Sequence, residues 1–293
     1  MKRIIVSLAC LLTGFAWMAN AQLLWKVSGN GLKAPSYIFG THHVAPPSVV
    51  DSVPGLSEAL ANADIVYGEM DMSGDMSAMQ GAVMRNALSP ADSTLTRIYT
   101  NAQLDSINIV LKEYMGAGAD VRMMETMKPA MLTTLITMMQ TQKVMPGFSP
   151  EQQIDRIVQM RALKDGKEVR GFETAGEQAL MLLGEPIADQ AEQLMDVVRR
   201  NDDAEESARE LAKAYLAGDL AKLQSMMEEE REGMGGMAER LIYQRNEKWA
   251  ETLAAQLAEG SLFIAVGAGH LPGDRGLLEL LKAKGYTVEG VKP

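Results

Sequence analysis

The chain has 293 residues, 47% of them hydrophobic and 23% charged, with a formal net charge of −10, three histidines and one cysteine. So acidic a balance argues against nucleic acid as a partner and against binding to anionic lipid by charge. The length is enough for one large core, or for one domain with a sizeable insertion.

The N-terminus reads as a secretory signal peptide. Lys2 and Arg3 form a basic start, Ile4 to Met18 an apolar stretch, and Ala19-Asn20-Ala21 a small-residue cleavage site. The apolar run is short for a spanning helix, and no later segment is long and apolar enough to cross a bilayer. Cleavage after Ala21 removes 21 of the 293 residues and leaves 272. Lys2 and Arg3 leave with the signal, so the net charge moves from −10 to −12. Cys10 leaves too, so the mature chain has neither disulfides nor thiolate chemistry and must be held by packing alone. The expected location is periplasmic or extracellular.

Downstream, Leu23 to Ser28 reads as a strand, turned by Gly29-Asn30-Gly31 into a second strand, Ser36 to Gly40, as a hairpin. Pro54 to Ala63 is a short helix, and Ile65 to Asp71 is a strand. From about Ser89 to Gly166 the pattern is helical. Thr100 to Tyr114 and Pro129 to Lys143 carry apolar residues at three- and four-residue steps. Ser149 and Pro150 suit the N-cap and first position of another helix. Lys167 to Phe172 reads as a strand. Further helices span about 174–258, including a charged, solvated face over Asp202 to Glu210 and a long helix from Met237 to Leu257. The chain closes with strand Leu262 to Val266, a helix around Leu277 to Lys284, and strand Tyr286 to Val291. The methionines at 123, 124, 127, 131, 138, 139 and 145 read as adaptable core filler, or else as a flexible apolar groove. The expected fold is one α/β (α+β) domain over 22–293. Its mixed central sheet is built from both ends of the chain, with a large helical insertion at about 89–166.

All three histidines lie in or beside two copies of one pattern. Gly40-Thr41-His42-His43 follows an apolar strand, and Gly267-Ala268-Gly269-His270 follows another about 230 residues later. A strand ending in glycine can bend sharply or approach a ligand closely. Ligand sites of open α/β sheets lie beyond the carboxyl ends of their strands. Imidazole is the commonest protein ligand for a transition metal, so the pair His43 and His270 suggests a divalent metal ion. Two neutral imidazoles need anionic help. Glu69 and Glu173, each at the end of a strand, are the best candidates, with Asp71 behind them. Arg245, followed by Asn246, lies on a helix and can clamp a carboxylate or stabilise a developing oxyanion.

These segments occur in an order that resembles the TraB/GumN family: Phe39-Gly40-Thr41-His42-His43, Val66 to Asp71, Gly171-Phe172-Glu173-Thr174, Gln244-Arg245-Asn246 and Val266 to Gly273. The family includes PrgY-like proteins and is similar to the Tiki metalloproteases. The closing segment, with Gly285-Tyr286-Thr287-Val288, looks especially like GumN-type members. The resemblance implies a metal-dependent hydrolase, with manganese, cobalt or zinc at His43 and His270 and with Glu69 and Glu173 as acidic partners. Arg245 and Asn246 match a further family motif, and His42 is incidental or supports the site from behind. The expected activity is hydrolysis of a peptide-like substrate, with one glutamate a ligand and the other the general base. The competing expectation is a non-catalytic envelope or extracellular protein that captures a peptide or other ligand.

Overall fold

The structure is a computed structural model and describes residues 22–145, 147–149, 152–234 and 236–292. The expected signal peptide, residues 1–21, lies outside the described residues, as does Pro150.

Six strands form one mixed sheet: β1 (Leu24–Ser28), β2 (Ser36–Thr41), β3 (Ile65–Met70), β4 (Glu168–Glu173), β5 (Leu262–Gly267) and β6 (Thr287–Gly290). Their order across the sheet is β4-β3-β5-β2-β1-β6. The β4, β3, β5 and β2 strands are mutually parallel, whereas β1 runs antiparallel to both β2 and β6. The sheet is thus assembled from both chain ends plus one strand near residue 170, as the sequence suggested. The β5 run Leu-Phe-Ile-Ala-Val is buried throughout, the pattern of a parallel strand covered on both faces.

Among the described residues, thirteen α-helices accompany the sheet: α1 (Val49–Ser52), α2 (Leu56–Asn62), α3 (Met76–Ala87), α4 (Leu95–Ile98), α5 (Asn101–Met115), α6 (Pro129–Val144), α7 (Ile154–Lys164), α8 (Ala175–Leu183), α9 (Ile187–Arg199), α10 (Asn201–Leu216), α11 (Leu220–Met234), α12 (Gln244–Gln256) and α13 (Leu277–Ala283). Several begin where the side chains dictate. Thr100 and Gln103 close a reciprocal capping box at the start of α5, and Thr174 with Glu177 does the same for α8.

Four expectations need adjusting. The helical insertion begins at α3, before residue 89, because Asp75 caps that helix through the Ser77 N–H. The helix expected to begin at Pro150 begins at Ile154, with Gln153 at the N-cap. The long helix expected from Met237 is interrupted by a π turn, Glu239–Tyr243, that leads into α12. Met123 is 79% exposed, not core filler, because it sits on a single 3-10 turn from which Val121 turns inward; Met138 is exposed as well.

Apolar side chains gather in two main cores. The larger surrounds the sheet and includes Phe39, Phe263, Ile264, Leu56, Tyr215 and Trp249. The second lies among the added helices, where Leu104, Ile107 and Leu111 of α5 meet Leu132 and Ile136 of α6 and Leu194 of α9. Each such side chain contributes about 1.5–3 kcal/mol by leaving water. The insertion therefore carries its own core, and α9, from beyond β4, helps to close it.

Candidate active site at the strand ends

Four parallel strands present their carboxyl ends on one edge of the sheet, and each delivers a site residue there. His43 lies two residues past β2, Glu69 sits one residue inside the end of β3, Glu173 ends β4, and His270 lies three residues past β5. Because β2 and β5 pair directly, with Gly40 opposite Val266 and Thr41 opposite Gly267, the two Gly-x-x-His units start side by side. The β3–β4 pairing sets Met70 opposite Glu173. The 226 residues between the histidines are thereby reduced to neighbouring strands about 5 Å apart.

The motif glycines serve close packing. A side chain at Gly40 would meet Leu271 at 2.9 Å and Ala268 at 3.2 Å, so the first turn rests directly on the second. A side chain at Gly267 would come within 3.1 Å of Glu69 Oε1. Its absence lets the Gly267 N–H donate to that oxygen at 2.8 Å.

His270 is buried, and its orientation is fixed from behind. Its Nδ1 lies 2.6 Å from Asn246 Oδ1, which can only accept, so Nδ1 carries the proton and Nε2 presents a lone pair. Asn246, wholly buried, also donates through Nδ2 to the carbonyls of His270 and Arg275. Burial lowers the His270 pKa to about 4, so the imidazole is neutral at pH 7. Its Nε2 stands 3.7 Å from Glu69 Oε1. Burial alone would raise the Glu69 pKa. The charge that His270 gains below about pH 4, with the charges of His43 and Arg245 and the Gly267 N–H, outweighs it and brings the value down to about 2.

Between these groups lies the Arg245 guanidinium. Its Nη2 donates to Glu69 Oε2 at 2.6 Å and to Glu173 Oε2 at 2.9 Å, and its Nε donates to Glu173 Oε1 at 2.9 Å. Its Nη1 donates to the Leu241 carbonyl at 2.8 Å and to His270 Nε2 at 3.1 Å. Trp249 supports the ensemble. Its ring carries the guanidinium at 4.6 Å and lies 4.5 Å from the His270 ring, while its Nε1 donates to Glu173 Oε1 at 3.1 Å. Gln178 Nε2 bridges Glu69 Oε2 and Glu173 Oε2. Both Glu173 oxygens are thus taken by N–H donors of Arg245, Trp249 and Gln178. Burial opposes the charge on Arg245, but Glu173 and Glu69 more than compensate and hold its pKa above the ordinary value.

His43 occupies the open side of the site. Its side chain stands in a recess, yet two-thirds of it meets solvent. Nδ1 faces Asp155 Oδ2 at 3.2 Å, and the other Asp155 oxygen accepts from Thr41 Oγ1 at 2.7 Å. The charge of Asp155 is the main reason the His43 pKa rises to about 9, with lesser support from Glu69. His42 points elsewhere, against Tyr215, and burial lowers its pKa to about 4. Asp71 is exposed and caps its own turn by accepting from the Ser73 N–H at 2.8 Å.

Asp155, Gln178 and Trp249 were not singled out in the sequence. Asp155 and Gln178 are ordinary-looking polar residues near the starts of α7 and α8. The one available signal for Trp249 was its place four residues after Arg245, one helical turn further on.

Among the described residues, no three His, Cys, Asp or Glu groups stand together as a formed metal centre. The donor chemistry fits one nonetheless. Each histidine is held at Nδ1 by an oxygen, the arrangement that orients metal-bound imidazoles. Two ligands bonded at about 2.1 Å in tetrahedral geometry lie about 3.4 Å apart, close to the 3.7 Å between His270 Nε2 and Glu69 Oε1. His43, His270 and Glu69 are the residues that could hold the ion. Two hollows lie nearby. One of about 480 Å³ is lined in part by Gly269, the residue before His270, with Tyr243 and Asp274, and one of about 510 Å³ is lined in part by Glu173, with Asp71 and Phe172.

A sequence model of the TraB/PrgY/gumN family matches residues 23–290. Metalloprotease TIKI2 of Danio rerio is 23% identical over 321 residues, covering 93% of this chain and 61% of that protein. Metalloprotease TIKI1 is 25% identical in both Xenopus tropicalis and Homo sapiens, covering 91% and 92% of this chain and 61% of each relative. The chain therefore spans about three-fifths of the length of these curated relatives. No solved structure matches it significantly. Along nearly all of its described length, the chain belongs to the TraB/PrgY/gumN family.

Proposed function

We propose that the protein is a secreted, metal-dependent hydrolase of peptide-like substrates, with His43, His270 and Glu69 holding one divalent ion. The observation that carries this reading is the setting of His270. A neutral imidazole, locked at Nδ1 by Asn246, sets its Nε2 3.7 Å from an oxygen of an ionised glutamate, at nearly ligand spacing. The Tiki metalloproteases named above support the same reaction class. No described helix is long and apolar enough to cross a membrane, and the leader expected over residues 1–21 would deliver the chain to a periplasm or the outside.

A divalent ion at these residues supplies Lewis acidity, which lowers the pKa of water and polarises a carbonyl oxygen. The chain's own groups do the rest. Asp155 and Asn246 hold the two imidazoles in place from behind. Glu173, with both oxygens engaged, positions Arg245 in place of serving as a ligand or base. Arg245, held by Glu173 and Trp249, donates to the substrate oxygen as negative charge develops, through an N–H group released from Glu69 or His270. An extended peptide crossing the strand ends would lie in the two hollows.

The test is metal analysis of the leader-free chain, residues 22–293, beside His43→Ala and His270→Ala, followed by a peptide-library assay with Mn²⁺, Co²⁺ or Zn²⁺ added. One ion per wild-type chain, lost in both variants together with hydrolysis, is the expected result. Equal peptidase activity in wild type and His43→Ala, or ion retained in both variants, would remove the reading. Chelator-insensitive capture of an intact peptide would establish the binding protein instead.

A further inference from the structure

We infer that Arg245 is a resident cation which occupies the metal-binding groups and is exchanged for the ion when it arrives. This rests on the metal reading above and goes beyond it, because it assigns the guanidinium a role before any substrate is present. One of its contacts falls on an atom the ion needs, Nη1 on the His270 Nε2 lone pair at 3.1 Å, and a second, Nη2 on Glu69 Oε2 at 2.6 Å, holds the other oxygen of the carboxylate whose Oε1 faces His270. A lone pair that accepts a hydrogen bond cannot also bind a metal, so the His270 contact must break on loading.

The remaining contacts give Arg245 somewhere to stay. Glu173 accepts at both oxygens, the Leu241 carbonyl accepts from Nη1, and the Trp249 ring lies beneath. Leu241 belongs to the π turn Glu239–Tyr243. Such a turn departs from the i→i−4 ladder and is found mostly at functional sites. Here it lies next to α12, and one of its carbonyls serves the arginine. Held by these partners, the side chain needs only a short pivot to release His270 and Glu69. The exchange keeps one cation between the carboxylates at every stage, so Glu69 and Glu173 are never left facing each other unneutralised. After the pivot the guanidinium stands beside the ion, where the proposed reaction needs a donor.

The experiment is Zn²⁺ titration of the leader-free chain, followed by calorimetry and by indole fluorescence. A Trp25→Phe background leaves Trp249 as the reporter, since Trp17 lies in the leader. Arg245→Gln alone strands the buried Glu173 charge, which can prevent folding. The comparison is therefore Glu173→Gln against Glu173→Gln with Arg245→Gln, which differ only in the cation. Exchange predicts that Zn²⁺ changes Trp249 emission when Arg245 is present. It also predicts that removing Arg245 tightens Zn²⁺ binding by about tenfold and abolishes the emission change. A residue that merely positions Glu69 would act in the opposite sense, and its loss would weaken binding by about 10- to 100-fold. Equal or weaker binding without Arg245, while wild type binds Zn²⁺, overturns the exchange and leaves the metal site standing. Failure of all these proteins to bind Zn²⁺ overturns both.

Discussion

Replacing Asn246 by alanine tests whether His270 is organised from behind. The side chain is fully buried and makes three hydrogen bonds: to the His270 and Arg275 carbonyls at 3.2 and 2.8 Å, and with His270 Nδ1 at 2.6 Å. Truncation leaves three buried polar groups, each costing about 1–3 kcal/mol when unsatisfied. The carbonyls retain partial compensation through their second lone pairs, so we expect a total loss of about 3–4 kcal/mol. For a chain this size that lowers the melting temperature by about 6–16 °C, at 2–4 °C per kcal/mol. The freed imidazole can rotate or change tautomer, so metal affinity should fall by about 10- to 100-fold. Thermal unfolding by circular dichroism measures the first effect and Zn²⁺ calorimetry the second. A melting shift below about 2 °C with unchanged affinity would refute the claim that Asn246 sets the His270 lone pair.

Three further outcomes follow from the same geometry. Asp155→Asn keeps an oxygen for Thr41 but removes the charge beside His43, so the His43 pKa in metal-free protein should drop from about 9 toward its ordinary 6.5, as read by NMR titration. Because the native value is raised, this ion pair contributes to stability fully below pH 6.5 and loses its contribution as pH climbs through about 9. Solvent around the ring keeps the contribution small, and a wild-type advantage that grows with pH over that window would contradict the assignment. Gly171→Ala sets a methyl group 2.6 Å from the Asp71 backbone nitrogen and 2.9 Å from Met70 Cα, forcing β4 off β3. It should cost about 1–3 kcal/mol in urea unfolding, whereas Gly176→Ala near the start of α8, where the methyl group would only touch Thr174 Oγ1 at an ordinary 3.9 Å, should be neutral or stabilise by up to about 1 kcal/mol. Trp249→Phe retains a ring under Arg245 but loses the hydrogen bond to buried Glu173. It should lower stability by about 1.5–3 kcal/mol, and a loss under 0.5 kcal/mol would show that the bond carries no weight.

What the sequence revealed and what it hid divide along physical lines. His43, Glu69, Glu173 and His270 were legible because each follows an apolar, strand-forming run, and parallel strand ends share one edge. The hairpin of β1 and β2 was legible from Gly29-Asn30-Gly31, where Asn30 takes a positive φ of 47° between two positive-φ glycines. Asn246 was marked beside Arg245 but not given its job, since adjacent residues on a helix face about 100° apart and serve different partners. Arg245 faces the carboxylates, and Asn246 faces the turn after β5. Asp155 was hidden because its partner, Thr41, lies 114 positions away and on a different element. The start of α3 and the π turn were missed for another reason. One rests on a single aspartate cap and the other on a change of hydrogen-bond ladder, and neither disturbs the apolar periodicity that sequence reading relies on.

Helix α3 through helix α7 lies between Glu69 and Glu173 in the chain, yet the two carboxylates face the same guanidinium. Register explains this: β3 and β4 are adjacent and parallel, with Met70 opposite Glu173, and that pairing is indifferent to the length of chain that joins them. Of the helices in the connection, α7 packs on the sheet and brings Asp155 to His43. Much of the rest closes the separate core with α9 and contributes no contact to the Arg245 cluster among those described. Division of labour follows from that topology. The candidate site draws on the strand ends and on α7, α8 and α12, which touch them, whereas α4 and α5 pack in the separate core, apart from the described contacts of Arg245. Changes in α4 and α5 should leave untouched the spacing of the groups at the strand ends.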